Sequence, residues 1–89
     1  MPKYLIEREI PGAGQLSASD LRAMSQRSCE VIGNLGRDLY WVESFVTEDK
    51  IYCICLAPDV KQIRKHGDQG GFPANRISEI KGIIDPATA

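Results

Sequence analysis

The sequence predicts an α+β domain in which the elements run strand, helix, strand, strand, helix, strand. The main observation is a hairpin, in which two β-rich runs, 39–46 and 51–57, are joined by a turn over residues 47–50. One strand–helix unit precedes the hairpin and one helix–strand unit follows it. This ferredoxin-like βαββαβ order gives an antiparallel four-stranded sheet with two helices on one face. The chain of 89 residues suits a single ferredoxin-like domain, 1–89.

The first strand and helix are predicted from their local signals. A β-rich run over residues 3–10 stops at the breaker Pro-Gly-Ala-Gly over 11–14. Ser17 and Asp20 have the spacing of a capping box, with Asp in place of the usual Glu or Gln, so the first helix begins beside them. Helical spacing of apolar residues continues to Leu35, and Gly36 supplies a left-handed cap.

The second half of the chain carries fewer signals. Asp59 has Gln62 three residues later and is expected to cap a short second helix over about 60–66. The glycine-rich residues 67–71 are expected to form a flexible segment after that helix. The last strand is predicted over 76–84, followed by a tail over 86–89.

The hairpin strands carry apolar residues on both faces, whereas a sheet with one solvated face alternates cleanly. In the strand over 39–46, the alternation assigns Leu39, Trp41 and Phe45 to one face and Tyr40, Val42 and Val46 to the other. Two helices cover only one face of the sheet. We therefore expect a second copy of the chain to cover the other face, in a homodimer.

Composition excludes several classes of partner. The net charge is −1 and the basic residues are scattered, which argues against nucleic-acid binding. No apolar run approaches the roughly 20 residues that span a bilayer, so no membrane association is expected. The first strand follows the N-terminus directly and leaves no room for a signal peptide, so a cytoplasmic protein with three reduced cysteines is expected.

His66 is the only histidine, and it lies three residues after Ile63, on the helix face that meets the sheet. Its pattern leaves three roles open: a cation near a helix C-terminus, a metal ligand, and an acid–base group. Glu7 is a carboxylate in the middle of a β-rich run. It either forms a salt bridge with Arg8 or joins His66 in a site for a divalent ion such as nickel or zinc.

Several segments together resemble a bacterial family of small ferredoxin-like proteins, of which some members are described as nickel-responsive or nickel-binding. The resemblance lies in residues 4–8, 41–50, 71–77 and 84–89, in Cys53 and in the His66 helix. It extends over nearly the whole chain and implies a compact dimer of the dimeric α/β-barrel class. The candidate positions that it carries over are Glu7, Trp41, Ser44, Cys53 and His66. Cys55 departs from the family pattern and places a second thiol beside Cys53.

Three functional hypotheses follow. The first is a small cytoplasmic protein that binds a divalent metal, with nickel as the leading ion, His66 and Glu7 as ligands, and sequestration or homeostasis as the role. The second is a cofactor-free monooxygenase or isomerase of the dimeric barrel class, in which His66 acts on a small aromatic or lactone. Its small-molecule ligand would lie in a pocket formed by Trp41, Ser44, Tyr52 and Cys53. The third is a structural or regulatory binding module.

Overall fold

A computed structural model of the chain describes residues 1–36 and 38–89. The elements are β1 (Lys3–Glu9), α1 (Ala18–Asn34), β2 (Tyr40–Val46), β3 (Lys50–Leu56), α2 (Val60–Gly70) and β4 (Arg76–Glu79), with short 3-10 turns at Ala13–Gln15 and Pro86–Thr88. The sheet has the order β2-β3-β1-β4, and each neighbouring pair is antiparallel. The predicted ferredoxin-like α+β architecture is confirmed.

The core lies between the sheet and the two helices, because alternate residues of the central strands β1 and β3 point toward the helices. The buried apolar side chains of this layer are Tyr4, Ile6, Ile51, Cys53 and Cys55 from the strands and Ile63 from α2. Met24 and Ile32 of α1 pack against the same cluster. This alternation decides which polar residues of β1 and β3 enter the protein interior.

Helix α1 begins and ends where its sequence signals predict. The Ser17 hydroxyl accepts a hydrogen bond from the Asp20 backbone N–H, and the Asp20 carboxylate accepts one from the Ser17 N–H. Gly36, after the helix, has φ 77°, a left-handed conformation that glycine adopts without steric cost. Neither α1 nor any other helix in the described part of the chain is long and apolar enough to cross a membrane.

The predicted end of the second helix at His66 is wrong. Helix α2 continues through Gly70, and Gly71 closes it with φ 72°. A Cβ on Gly67 would lie 2.8 Å from the Phe72 carbonyl oxygen, and a Cβ on Gly70 would overlap the Phe72 ring. These two glycines therefore do not break the helix. They allow Phe72 to fold back closely against it.

The predicted length of the last strand is also wrong. Strand β4 covers only Arg76–Glu79, and the Ile80 N–H makes one further hydrogen bond, of 2.7 Å, to the Lys3 carbonyl. Strand β1 begins at Lys3, which this register places opposite Ile80. The side chains of Ile83 and Ile84, beyond the end of β4, are 70% and 85% exposed.

The face of the sheet that points away from the helices carries several apolar side chains. Register places the following residues there, half-buried or exposed: Leu5, Tyr40, Phe45, Tyr52, Ile54 and Leu56. Tyr40 and Phe45 are 60% and 49% exposed. The predicted homodimer would cover this face, and the dimer stays a prediction.

Candidate functional site

A cavity of about 170 Å³ opens between the sheet and α1, near the second half of α2. Every helix and the three strands β1, β2 and β3 contribute to its wall. The lining residues are Arg8, Leu21, Met24, Ser25, Ser28, Trp41, Ser44, Val46, Ile51, His66 and Phe72. Its wall is thus mostly apolar, with a few polar groups on opposite sides.

Arg8 is the charged residue of this wall. It follows Tyr4 and Ile6 on the helix-facing side of β1 and is only 3% exposed. Its Nε donates a hydrogen bond to Cys53 Sγ at 3.3 Å, and Nη1 donates one to the Pro73 carbonyl at 2.9 Å. The guanidinium carbon also lies 5.7 Å from the centre of the Phe72 ring. Within residues 1–36 and 38–89, no carboxylate oxygen lies within 4.0 Å of the guanidinium.

His66 reaches the cavity from α2, as its spacing from Ile63 predicts, and is 4% exposed. Its Nε2 shares a hydrogen bond of 2.9 Å with Ser28 Oγ, and its ring stacks on Phe72 at a centroid distance of 5.3 Å. Its Nδ1 is buried and has no partner in the described chain. Burial, and secondarily the Arg8 charge, lower the pKa of His66 to about 4. The imidazole is therefore neutral at pH 7.

A short hydrogen-bonded chain fixes the opposite wall of the cavity. Trp41 Nε1–H donates to Ser44 Oγ at 2.8 Å, and the Ser44 hydroxyl donates to Cys53 Sγ at 3.0 Å. Cys53 Sγ also accepts the hydrogen bond from Arg8 Nε, so three hydrogen bonds connect the Trp41 indole to the Arg8 guanidinium through Ser44 and Cys53. These contacts hold Trp41 and Arg8 in defined orientations around the cavity.

A β-bulge brings Trp41 and Ser44 to the same face of β2. The register with β3 shifts between Trp41 and Glu43, so two residues that are three apart both face the helices. Phe45 pairs with Tyr52 on the far face. The sequence-based assignment of Phe45 to the face of Trp41, and of Val46 to the other, is therefore wrong, because simple alternation fails at the bulge.

The structure brings together only part of the predicted site. Trp41, Ser44 and His66 line the cavity, whereas Cys53 lies behind its wall. Glu7 and Tyr52 are paired across β1 and β3 on the opposite face of the sheet. There the Glu7 carboxylate is 3.8 Å from Lys50 Nζ and 3.8 Å from Arg76 Nε. The predicted ligand pair of His66 and Glu7 does not meet within the chain.

The cavity does not fit a closed site for a divalent metal. No group of three or more His, Cys, Asp or Glu side chains that could hold an ion occurs among the described residues. Arg8 adds a permanent positive charge to the wall, which repels a cation. Burial, and secondarily the neighbouring Cys53, raise the pKa of Cys55 to about 12, so this thiol stays protonated at neutral pH. His66 is the one imidazole that the site offers.

The predicted site did not include Arg8, Ser28 or Phe72. Phe72 contacts both Arg8 and His66, so it links the two polar groups of the cavity. A signal for Arg8 was present, because it shares its strand parity with two apolar residues. A signal for Ser28 was also present, because it lies in the helical spacing of the apolar residues of α1, four residues after Met24 and three before Val31.

Comparisons with known proteins give a family and a structural relative. A family model described as nickel responsive protein SCO4226-like matches residues 4–80. The crystal structure of SCO4226 from Streptomyces coelicolor A3(2) aligns with 92% of this chain and 99% of its own, with a TM-score of 0.77 and 14% sequence identity. At this identity the likeness shows the shared fold alone. No curated protein sequence matches the chain.

Proposed function

Since the chain belongs to the SCO4226-like family of nickel responsive proteins, we propose that it is a small ligand-binding protein of that family. Its ligand site is the cavity between the sheet and α1. The observation that supports this proposal is a pair of buried side chains in the cavity wall. In the described chain, His66 Nδ1 has no hydrogen-bond partner and Arg8 has no carboxylate within 4.0 Å. A buried polar group without a partner costs free energy, which a bound ligand would recover.

The cavity also has the composition of a ligand site. Such sites combine mostly apolar walls with a few polar groups that orient the ligand. Leu21, Met24 and Ile51 supply apolar wall, and Ser25 and Ser28 supply hydroxyl groups. An engineered apolar cavity of about 150 Å³ binds benzene, so a cavity of about 170 Å³ holds a molecule of similar size.

Trp41 provides a direct test, because it is the only tryptophan and lines the cavity. Titration with benzoate, benzamide and benzyl alcohol should give a saturable change of its fluorescence with at least one of them. Ser25→Phe fills the cavity and should weaken binding by roughly tenfold or more, as expected when a buried ligand loses its space. Gln26→Phe, on the exposed side of α1, is the matched control. Failure of all three probes, or equal binding by Ser25→Phe, would reject the proposal.

Nickel binding is a second candidate, favoured by the family description and by the unpartnered Nδ1 of His66. A neutral imidazole is a good ligand for nickel. The remaining ligands would have to come from water or from a second copy of the chain. A role in nickel sequestration or homeostasis would follow from such binding.

Calorimetric titration of tag-free protein with Ni²⁺ tests this candidate. If His66 is a ligand, His66→Ala loses binding, whereas Glu7→Gln retains it because Glu7 lies on the opposite face of the sheet. Equal binding by His66→Ala would place the ion elsewhere. Wild-type protein that binds no nickel would exclude the candidate.

The enzymatic alternative, a cofactor-free monooxygenase or isomerase, stays a prediction. It would use the same cavity, with the neutral His66 as a base at pH 7. A ring whose pKa is lowered to about 4 is a weak base at pH 7, so the binding function is preferred.

A homodimer is proposed on the basis of the far face of the sheet. Phe45 is half-exposed there, beside Tyr52 on the neighbouring strand. Sedimentation of the wild-type protein should give twice the chain mass of 9.9 kDa. Phe45→Lys should shift it toward the monomer, and Val60→Lys on α2 should not. A wild-type monomer at high protein concentration would refute the dimer.

A further inference from the structure

We propose that the ligand of this cavity is a small monocarboxylate with a compact hydrocarbon part. Its carboxylate pairs with the Arg8 guanidinium, and its hydrocarbon part lies against the apolar wall. This inference rests on the proposed function, since it specifies the chemical class of the ligand that the cavity takes. It does not require nickel.

The Arg8 guanidinium is a buried charge with no carboxylate partner in the described chain. Removing an ion from water costs several kcal/mol unless partners compensate it. An arginine side chain has five N–H donors, and the hydrogen bonds described above use one on Nε and one on Nη1. Their acceptors are the Cys53 sulfur and the Pro73 carbonyl, neither of which is a carboxylate. A carboxylate on the cavity side would supply both the countercharge and two acceptor oxygens in the geometry that the guanidinium fork favours.

The charge balance of the wall specifies a monoanion. Among the residues that line the described cavity, Arg8 is the one side chain charged at neutral pH, because the burial of His66 keeps its ring neutral. One positive charge balances one negative charge. A dianion such as a phosphate monoester would leave excess charge in a poorly solvated space. A divalent cation would meet repulsion from Arg8 instead of attraction.

The rest of the wall specifies an apolar remainder. Leu21, Met24, Val46 and Ile51 face the same space as Arg8 and offer only hydrocarbon or thioether surface. The volume of about 170 Å³ limits this part of the ligand to about the size of one aromatic ring or a short branched chain.

The test compares benzoate with its neutral analogue benzamide by calorimetric titration at pH 7.5. We expect the wild-type protein to bind benzoate roughly tenfold or more tightly than benzamide, the range for a charge-assisted bidentate pair over a neutral one. In Arg8→Met, which keeps the length of the side chain without its charge, the ratio should fall to about one. Arg8→Lys keeps the charge but lacks the fork, and should give an intermediate ratio.

The outcomes separate this inference from the proposed function. Equal binding of benzoate and benzamide by the wild-type protein would overturn the carboxylate inference and leave a neutral-ligand cavity standing. An unchanged ratio in Arg8→Met would overturn the assignment of the carboxylate to Arg8. If neither probe nor benzyl alcohol binds, the proposed function fails and the inference with it. The wild-type comparison decides the ligand class even if the Arg8 variants do not fold.

Discussion

Acidification from pH 7 to pH 5 should destabilise the folded protein through one residue, His66. In the folded state, burial and the Arg8 charge hold its pKa at about 4, compared with the ordinary value of 6.5. The unfolded chain therefore takes up a proton at this position at a higher pH than the folded chain does. Stability that is present above pH 6.5 is lost as the pH falls toward 4.

The magnitude follows from the two pKa values. With 6.5 in the unfolded chain and about 4 in the folded protein, the loss in the free energy of unfolding is ~2 kcal/mol at pH 5. It approaches ~3 kcal/mol near pH 4. Hydrogen bonds from Ser17 lower the pKa of the Asp20 carboxyl group. The stability that this carboxylate contributes is therefore lost below about pH 4. The window between pH 5 and 7 therefore reports mainly on the single histidine.

Urea unfolding at pH 7, 6 and 5, followed by Trp41 fluorescence and by circular dichroism, measures this loss. His66→Gln is the matched control, because it removes the titrating ring and retains a group that can hydrogen-bond to Ser28 Oγ. The variant should have nearly the same stability at all three pH values. Equal stability of the wild-type protein at pH 7 and pH 5 would refute the burial of a neutral imidazole. An equal loss in the variant would assign the effect to other groups.

Two further predictions concern packing around the cavity. Gly67→Ala should lower the free energy of unfolding by about 1–3 kcal/mol, because the new Cβ would lie 2.8 Å from the Phe72 carbonyl oxygen. Gly33→Ala is the control, since no atom lies within 4 Å of a Cβ at that position. It should leave the free energy of unfolding unchanged or raise it by up to about 1 kcal/mol. Equal effects of both in urea unfolding would contradict the close approach. Ser44→Ala should cost about 1–3 kcal/mol because Trp41 Nε1–H loses its acceptor, and an unchanged indole environment in fluorescence would count against this contact.

The sequence predicts most of the fold because its local signals agree with the tertiary structure. The Ser17 and Asp20 capping box, Gly36 and the hairpin turn each need only neighbouring residues, so local rules suffice. The end of α2 was mispredicted for the opposite reason. The sequence does not distinguish a glycine that ends a helix from a glycine that permits close packing. At Gly67, only the position of Phe72 in the structure shows that the glycine permits close packing.

The candidate site was predicted less completely. Helical spacing correctly places His66 toward the sheet, and no rule of spacing shows that Ser28 lies 2.9 Å from its ring. Glu7 and Arg8 are adjacent in sequence, and a salt bridge between them was one of the two predicted roles of Glu7. Strand alternation separates them onto opposite faces, where Glu7 lies near Lys50 and Arg8 enters the cavity.

Side-chain NMR tests most directly whether a carboxylate enters the cavity beside Arg8. In a uniformly ¹⁵N-labelled sample, addition of benzoate should shift the Arg8 Nε–H and Trp41 Nε1–H signals together, with one saturation curve. Benzamide at the same concentration should produce much smaller shifts of the Arg8 signal. Unchanged signals of both side chains, or shifts confined to residues of the far sheet face such as Tyr52, would contradict the account.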